Sequence, residues 1–115
     1  MIVCLRTVKI REPERARFLH WIADGRRVRE AHGILAELVV EPTTSDGDTV
    51  VITMWPSHEV FDAWIATPDR DRLTASDVHQ AVSYQPITRY EVTGGYLNLP
   101  GLAAAPAPAD QQETS

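Results

Sequence analysis

The largely apolar run from Ile2 to Ile10 reads as a β-strand. Ile2, Cys4, Arg6, Val8 and Ile10 fall on one face, and Val3, Leu5, Thr7 and Lys9 on the other. From Pro13, which is tolerated at a helix start, the period lengthens. Phe18, Trp21, Ile22, Gly25 and Val28 recur at i, i+3, i+4, i+7 and i+10, predicting an amphipathic helix that His32-Gly33 ends. Period two returns over Ile34 to Glu41, where Glu37 and Glu41 imply that part of one face meets water or a polar partner. Pro42 to Asp48 is a turn, with Asp46-Gly47 as its hairpin signal. The β-branched run Thr49 to Trp55 is a third strand, and Pro56, lacking an N–H, ends its ladder. Ser57 then caps a helix whose face carries Val60, Phe61, Trp64 and Ile65. Thr67-Pro68 interrupts this helix and restarts it, with Leu73, Val78 and Val82 as apolar anchors. Gln85-Pro86 resets the chain, and Ile87 to Val92 is a fourth strand.

The resulting order, β-α-β-β-α-β, predicts a ferredoxin-like α+β fold: one antiparallel sheet with both helices on one face. The opposite face still carries Leu, Val and Ile. A second copy of the chain is the simplest cover, so a homodimer is expected. Gly94-Gly95 closes the domain, assigned to residues 1–99. Residues 100–115, rich in Ala, Pro and Gln, are expected to be a disordered tail.

Composition narrows the classes. A chain of 115 residues is one domain, and at that size about two-thirds of the unfolded surface is buried on folding. Cys4 is the lone cysteine, which excludes an internal disulfide and suits a reducing cytoplasm. No apolar run is long enough to span a membrane, and no charged region precedes an apolar one at the N-terminus. The net charge is −5, yet residues 1–29 hold eight of the eleven basic residues. Without interleaved aromatics in an acidic domain, that basic third reads as a solvated helix face and not a nucleic-acid surface. Arg26, Arg27 and Arg29 suit a helix C-terminus. No metal-ligand spacing, serine elbow, P-loop or dinucleotide glycine fingerprint is present.

The stretch Trp55-x-Ser57-x-Glu59-x-Phe61-x-Ala63-Trp64, followed by Pro68, resembles the signature of the antibiotic biosynthesis monooxygenase family, part of the dimeric α/β-barrel superfamily. The likeness covers about residues 2–96. It implies a homodimer with its sheets packed face to face and a pocket between each sheet and its helices. It also implies oxidation of an aromatic, polyketide-like substrate (an anthrone, quinol or angucyclinone) by molecular oxygen, often without metal or flavin. Other activities on the scaffold are haem degradation, ring opening with reduced flavin as co-substrate, polyketide cyclisation, and ligand binding without turnover. Haem degradation is disfavoured: Thr7 stands where that branch has a pocket asparagine, and Leu73 where it has a haem-ligating histidine. Trp64 matches the pocket tryptophan.

The candidate site follows. Trp64, Phe61 and Thr7 are substrate-contacting candidates, the first two as a flat apolar wall or, alternatively, as plain core. His79 is the acid–base candidate by type, with Tyr84 beside it as a relay; the alternative is a surface histidine. Arg89 either steadies a phenolate or pairs with Glu37 or Glu91. His20, His32 and His58 rank below His79, and no metal or bound cofactor is expected.

Overall fold

The structure is a computed structural model, and it describes residues 1–98. The tail expected from residue 100 lies outside them. The fold is ferredoxin-like α+β. β1 (Ile2–Lys9) is central, pairing antiparallel with β3 (Thr49–Trp55), which pairs with the edge strand β2 (Ala36–Val40). On its other side β1 meets two short strands, β4 (Ser83–Tyr84) and β5 (Thr88–Glu91). β5 is the fourth strand expected at Ile87 to Val92, and β4 is a further two-residue strand ahead of Pro86. Gln85 still donates its N–H to the Thr7 carbonyl, but Pro86 has none to give, and the ladder resumes at Thr88.

Both helical segments are broken. The first opens with a 3-10 turn at Glu12–Glu14 holding Pro13, continues as α1 (Arg15–Asp24), and breaks at Gly25 before α2 (Arg26–Ala31). The Arg29 side chain folds back over Gly25, so closely that a Cβ there would sit 2.6 Å from its Nη1. Arg29 Nη2 then donates to the Ile22 carbonyl, one of those α1 leaves free at its end. Gly33 takes the left-handed conformation expected of it, with φ 101°. Ile34 still bonds back to the Arg29 carbonyl, which is why β2 starts two residues later than its apolar pattern.

The second segment is three short helices, each with a hydroxyl cap. Ser57 accepts from Val60 N ahead of α3 (His58–Ile65), and Thr67 accepts from Arg70 N ahead of α4 (Pro68–Thr74). Ser76 accepts from Val78 N ahead of α5 (Asp77–Gln80).

The helices cover the sheet face of Ile2, Cys4, Val8 and Trp55, in two apolar clusters. One joins Ile2, Cys4 and Trp55 to Phe61 and Trp64. The other joins Val8 to Phe18 and Val82. Phe18 is fully buried, and truncating such a ring costs about 3–5 kcal/mol. The opposite face carries Val3, Leu5, Leu38, Val50, Ile52 and Met54, all part-exposed, with Val40 and Tyr90 exposed at its rim. No helix of the described residues is long and apolar enough to cross a membrane.

Candidate active site

The two apolar clusters do not close against each other. Between them, under the helices, lies a cavity of about 130 Å³. The Trp55 ring lies 5.2 Å from Phe61, tilted by 54°, and 6.3 Å from Trp64, inclined by only 24°, centroid to centroid, forming an apolar aromatic wall. Trp21 adds a further aromatic surface. Its indole N–H donates to the Leu73 carbonyl at 3.1 Å, which ties α1 to α4 and fixes the ring.

The other end is polar and cationic. Arg6 lies on the helix-facing stripe of β1 between Cys4 and Val8, and Tyr84 stands opposite Val8 on β4. The Arg6 guanidinium lies 5.2 Å from the Tyr84 ring, and the His79 ring stacks on Tyr84 at 4.4 Å and lies tilted 5.2 Å from Trp21. Arg70 of α4 completes this end. Among the described residues Arg6 Nε, His79 Nδ1 and Tyr84 Oη are buried without a hydrogen-bond partner, as is Arg29 Nε, although Glu37 Oε2 lies 2.8 Å from the last as its ion-pair partner. Burying a polar group unpaired costs free energy, so three together point to a ligand that would pair them.

Burial lowers the His79 pKa from the ordinary histidine value, and the Arg6 and Arg70 charges lower it further. His79 is thus a neutral base across the neutral range. Burial pushes Tyr84 up to about 12, with Arg6 opposing, so its hydroxyl keeps its proton to donate. Burial also raises the Cys4 thiol, which leaves it protonated and poorly nucleophilic. Glu37 is the acid of the wall, and Arg29 already holds it, Nε to Oε2 at 2.8 Å. Burial pushes Glu37 up, and Arg29 opposes this. Among the described residues no three His, Cys, Asp or Glu side chains gather as a metal site.

The structure brings four of the six sequence candidates to the cavity: Trp64, Phe61, His79 and Tyr84. Two are placed elsewhere. Thr7 points to the opposite sheet face because strand alternation gives the cavity to Arg6. Arg89 is on the helix-facing side but outside the cavity, since Asp62 takes its Nη2 at 2.7 Å and His58 Nδ1 lies 3.2 Å from its Nη1. Its partners are thus neither Glu37 nor Glu91. Arg29, expected on a solvated helix face, is 6% exposed. The sequence candidates also omit Arg6, Arg70 and Trp21. For Arg6 a signal exists, an arginine inside the apolar stripe Ile2, Cys4, Val8; for Arg70, in Pro-Asp-Arg-Asp-Arg, there is none.

The sequence profile described as antibiotic biosynthesis monooxygenase matches residues 1–75. No curated protein matches significantly. Solved structures share the fold. A Deinococcus radiodurans protein assigned as an antibiotic biosynthesis monooxygenase is 21% identical, covers 86% of this chain and 98% of its own, and has a TM-score of 0.65. SnoaB, a cofactor-independent oxygenase from Streptomyces nogalater, is 13% identical over 82% of this chain and 94% of its own, with a TM-score of 0.69. The haem degrader MhuD from Mycobacterium tuberculosis, with two haems bound, is 18% identical over 84% and 99%, with a TM-score of 0.67. At such identities the likeness is one of fold. Leu73 and His79 both line the cavity, whose volume is below the roughly 300–1,000 Å³ of ordinary ligand pockets.

Proposed function

The chain belongs to the antibiotic biosynthesis monooxygenase family, and on that footing we propose that it is a small oxygenase acting on an electron-rich phenolic or quinol-type ring with molecular oxygen. The observation that carries this reading is the meeting of three unpartnered buried groups, on Arg6, His79 and Tyr84, at one end of an aromatic cavity.

Each group has a role in making and holding a substrate anion. His79 Nδ1, neutral and unpartnered, takes the acidic proton of the bound ring. The Tyr84 hydroxyl donates to the oxygen on which negative charge develops. The Arg6 and Arg70 charges favour the anion in a wall of low dielectric. The Trp21 and Trp64 rings hold the substrate flat. The electrons come from the substrate. In a phenol with a free para position that C–H becomes a carbonyl, one oxygen atom of O₂ stays on the ring, and the other leaves in water with the two hydrogens lost; a quinol, which has no such C–H, gives up two electrons and two protons to O₂, which leaves as hydrogen peroxide. No bound redox group is needed, and reduced flavin enters only in the alternative of flavin-delivered oxygen.

Size constrains the substrate. A cavity of about 150 Å³ is known to take one benzene ring, and this one is about 130 Å³. The quinol end of the anthrone, quinol and angucyclinone range therefore fits as the walls stand, and further rings need a wall side chain to move. Oxygen uptake with a panel of quinols, naphthols and anthrones tests the proposal. Uptake stoichiometric with quinone formation, and abolished in His79→Gln, is expected. Product formation without uptake would instead select a cyclase, and binding without product a ligand carrier.

We also propose that the uncovered apolar sheet face is the interface of a homodimer. Ile52→Lys places a charge at its centre and is expected to halve the mass seen by light scattering at micromolar concentration. A wild-type chain that is already monomeric would end this proposal.

A further inference from the structure

We propose that Arg6 and Arg70 form a carboxylate subsite, and that the substrate is a one-ring aromatic acid rather than a neutral phenol or quinol. This deepens the oxygenase reading and rests on it for the fate of the ring.

The arginines of this chain sort by partner. Arg11, Arg15, Arg17, Arg29, Arg72 and Arg89 each have a carboxylate within ion-pair distance. Arg6, Arg26, Arg27 and Arg70 have none among the described residues. Arg26 and Arg27 are exposed, where water solvates the charge. Arg6 and Arg70 instead line the cavity and are both part-buried, Arg6 with its Nε fully out of solvent. A guanidinium does not shed its proton to escape burial, so it keeps its charge and needs an anion.

Nothing in the wall supplies one. Glu37 is held by Arg29, and Tyr84 stays neutral. The ring anion formed during oxidation does not suffice either. It brings one negative charge, and its proton makes His79 positive at the same moment, leaving both arginines uncompensated. A fixed second negative charge on the substrate halves that deficit and gives affinity before any chemistry begins. A carboxylate suits the planar fork of a guanidinium, which binds it with two parallel hydrogen bonds. The unpartnered Arg6 Nε is one of the donors such a fork uses. The cavity size sets the rest of the ligand at about one ring.

Trp21, Trp55 and Trp64 all line the cavity, so indole fluorescence reports occupancy without turnover. The probes are 4-hydroxybenzoate and its neutral isostere 4-hydroxybenzamide, at neutral pH and fixed ionic strength. Because hydrogen bonds to charged groups are strong, the carboxylate is expected to bind about tenfold or more tighter than the amide. Arg6→Gln and Arg70→Gln should each bring the two probes within about threefold of each other. Circular dichroism and melting establish that each variant is folded. If Arg6→Gln does not fold, Arg70→Gln alone decides. Equal binding of amide and carboxylate, no binding of either at millimolar concentration, or a preference surviving in the folded variants overturns the subsite. The carboxylate preference without oxygen uptake by any ring would instead leave the subsite standing and remove the oxygenase reading. Uptake with neutral rings alone would do the reverse.

Discussion

Arg6 and Arg89 stand on the same face of neighbouring strands, since Arg89 pairs across from Cys4 and Arg6 is the next helix-facing residue of β1. Each has a histidine and an aromatic ring close by. At the Arg89 end the groups satisfy one another. Arg89 bonds Asp62, His58 bonds Glu91 at 2.9 Å, and the Arg89 guanidinium lies 4.7 Å from the Phe61 ring. That end is largely solvated, with Asp62 and Glu91 side chains 58% and 62% exposed. At the Arg6 end the arginine, histidine and tyrosine each leave a buried atom unpaired. The same residue types thus make a closed surface network in one place and an open site in the other. What separates them is the supply of carboxylates: among the described residues the Arg89 end has two, and the Arg6 end has none of its own.

The sharpest way to break this comparison is to exchange histidines. If His79 is the base, His79→Gln should lower the rate of oxygen uptake by about 10²–10⁴, while His58→Gln at the satisfied end should change it little. Equal losses in both would mean that unpaired burial does not mark the site. Removing the Tyr84 hydroxyl by Tyr84→Phe should cost about 10²–10³ in kcat. A pH profile adds a sign. His79 must be neutral to act, and burial with Arg6 and Arg70 lowers its pKa. Wild-type kcat/KM should therefore stay level through neutrality and fall only below the ordinary histidine range. In Arg70→Gln that acid limb should move to higher pH.

The buried Arg29–Glu37 pair falls between the two extremes, desolvated like the Arg6 end but satisfied like the Arg89 end. Arg29→Met leaves Glu37 buried without its cation, and breaking such a pair costs about 3–5 kcal/mol, measurable by urea unfolding. The pH dependence has a definite direction. The Glu37 pKa is raised in the folded state, so folding takes up a proton and stability declines as pH rises from the unfolded carboxylate value through the folded one. Losing Arg29 raises that pKa further. The variant should be most destabilised at neutral pH and partly rescued in mild acid. A uniform loss across pH would show that Arg29 acts through packing over Gly25 and Trp21 alone.

Much of this frame is legible in the sequence, because alternation and capping are local. The inner stripe of β1, the Ser57 and Thr67 caps and the Gly33 exit all follow from residue type at a given offset. The packing of the Arg29 side chain over Gly25 is not local: it depends on where that side chain goes. Nor is β4 legible, since Ser83-Tyr84 is too short to show a period. The site is half legible for the same reason. His79 and Tyr84 are named by their chemistry, and Trp64 and Phe61 by their apolar face. Choosing Arg6 over Arg89 requires knowing which arginine has an acid across from it, and Asp62 is 27 residues from Arg89 in the chain.

Arg89→Gln is accordingly expected to have the smallest effect of these substitutions, although arginine's chemistry alone would nominate it to hold a substrate anion. The side chain already has two partners, at 2.7 and 3.2 Å, and stands outside the cavity wall. To reach a substrate it would have to abandon Asp62. A part-exposed ion pair of this kind contributes about 0–1 kcal/mol, because water competes for both charges and the long side chain loses rotamer freedom in holding one geometry. Glutamine keeps a donor for Asp62 and most of the aliphatic stem, which reduces the loss further. The melting temperature should fall by a few degrees at most, and by less in high salt, where the wild-type pair is itself screened. Oxygen-uptake kinetics should remain within about twofold of wild type, well short of the hundredfold expected for losing a preorganised donor. A hundredfold loss of kcat in folded Arg89→Gln would return the anion to the Asp62 end of the sheet and leave the orphaned groups on Arg6, His79 and Tyr84 without a role.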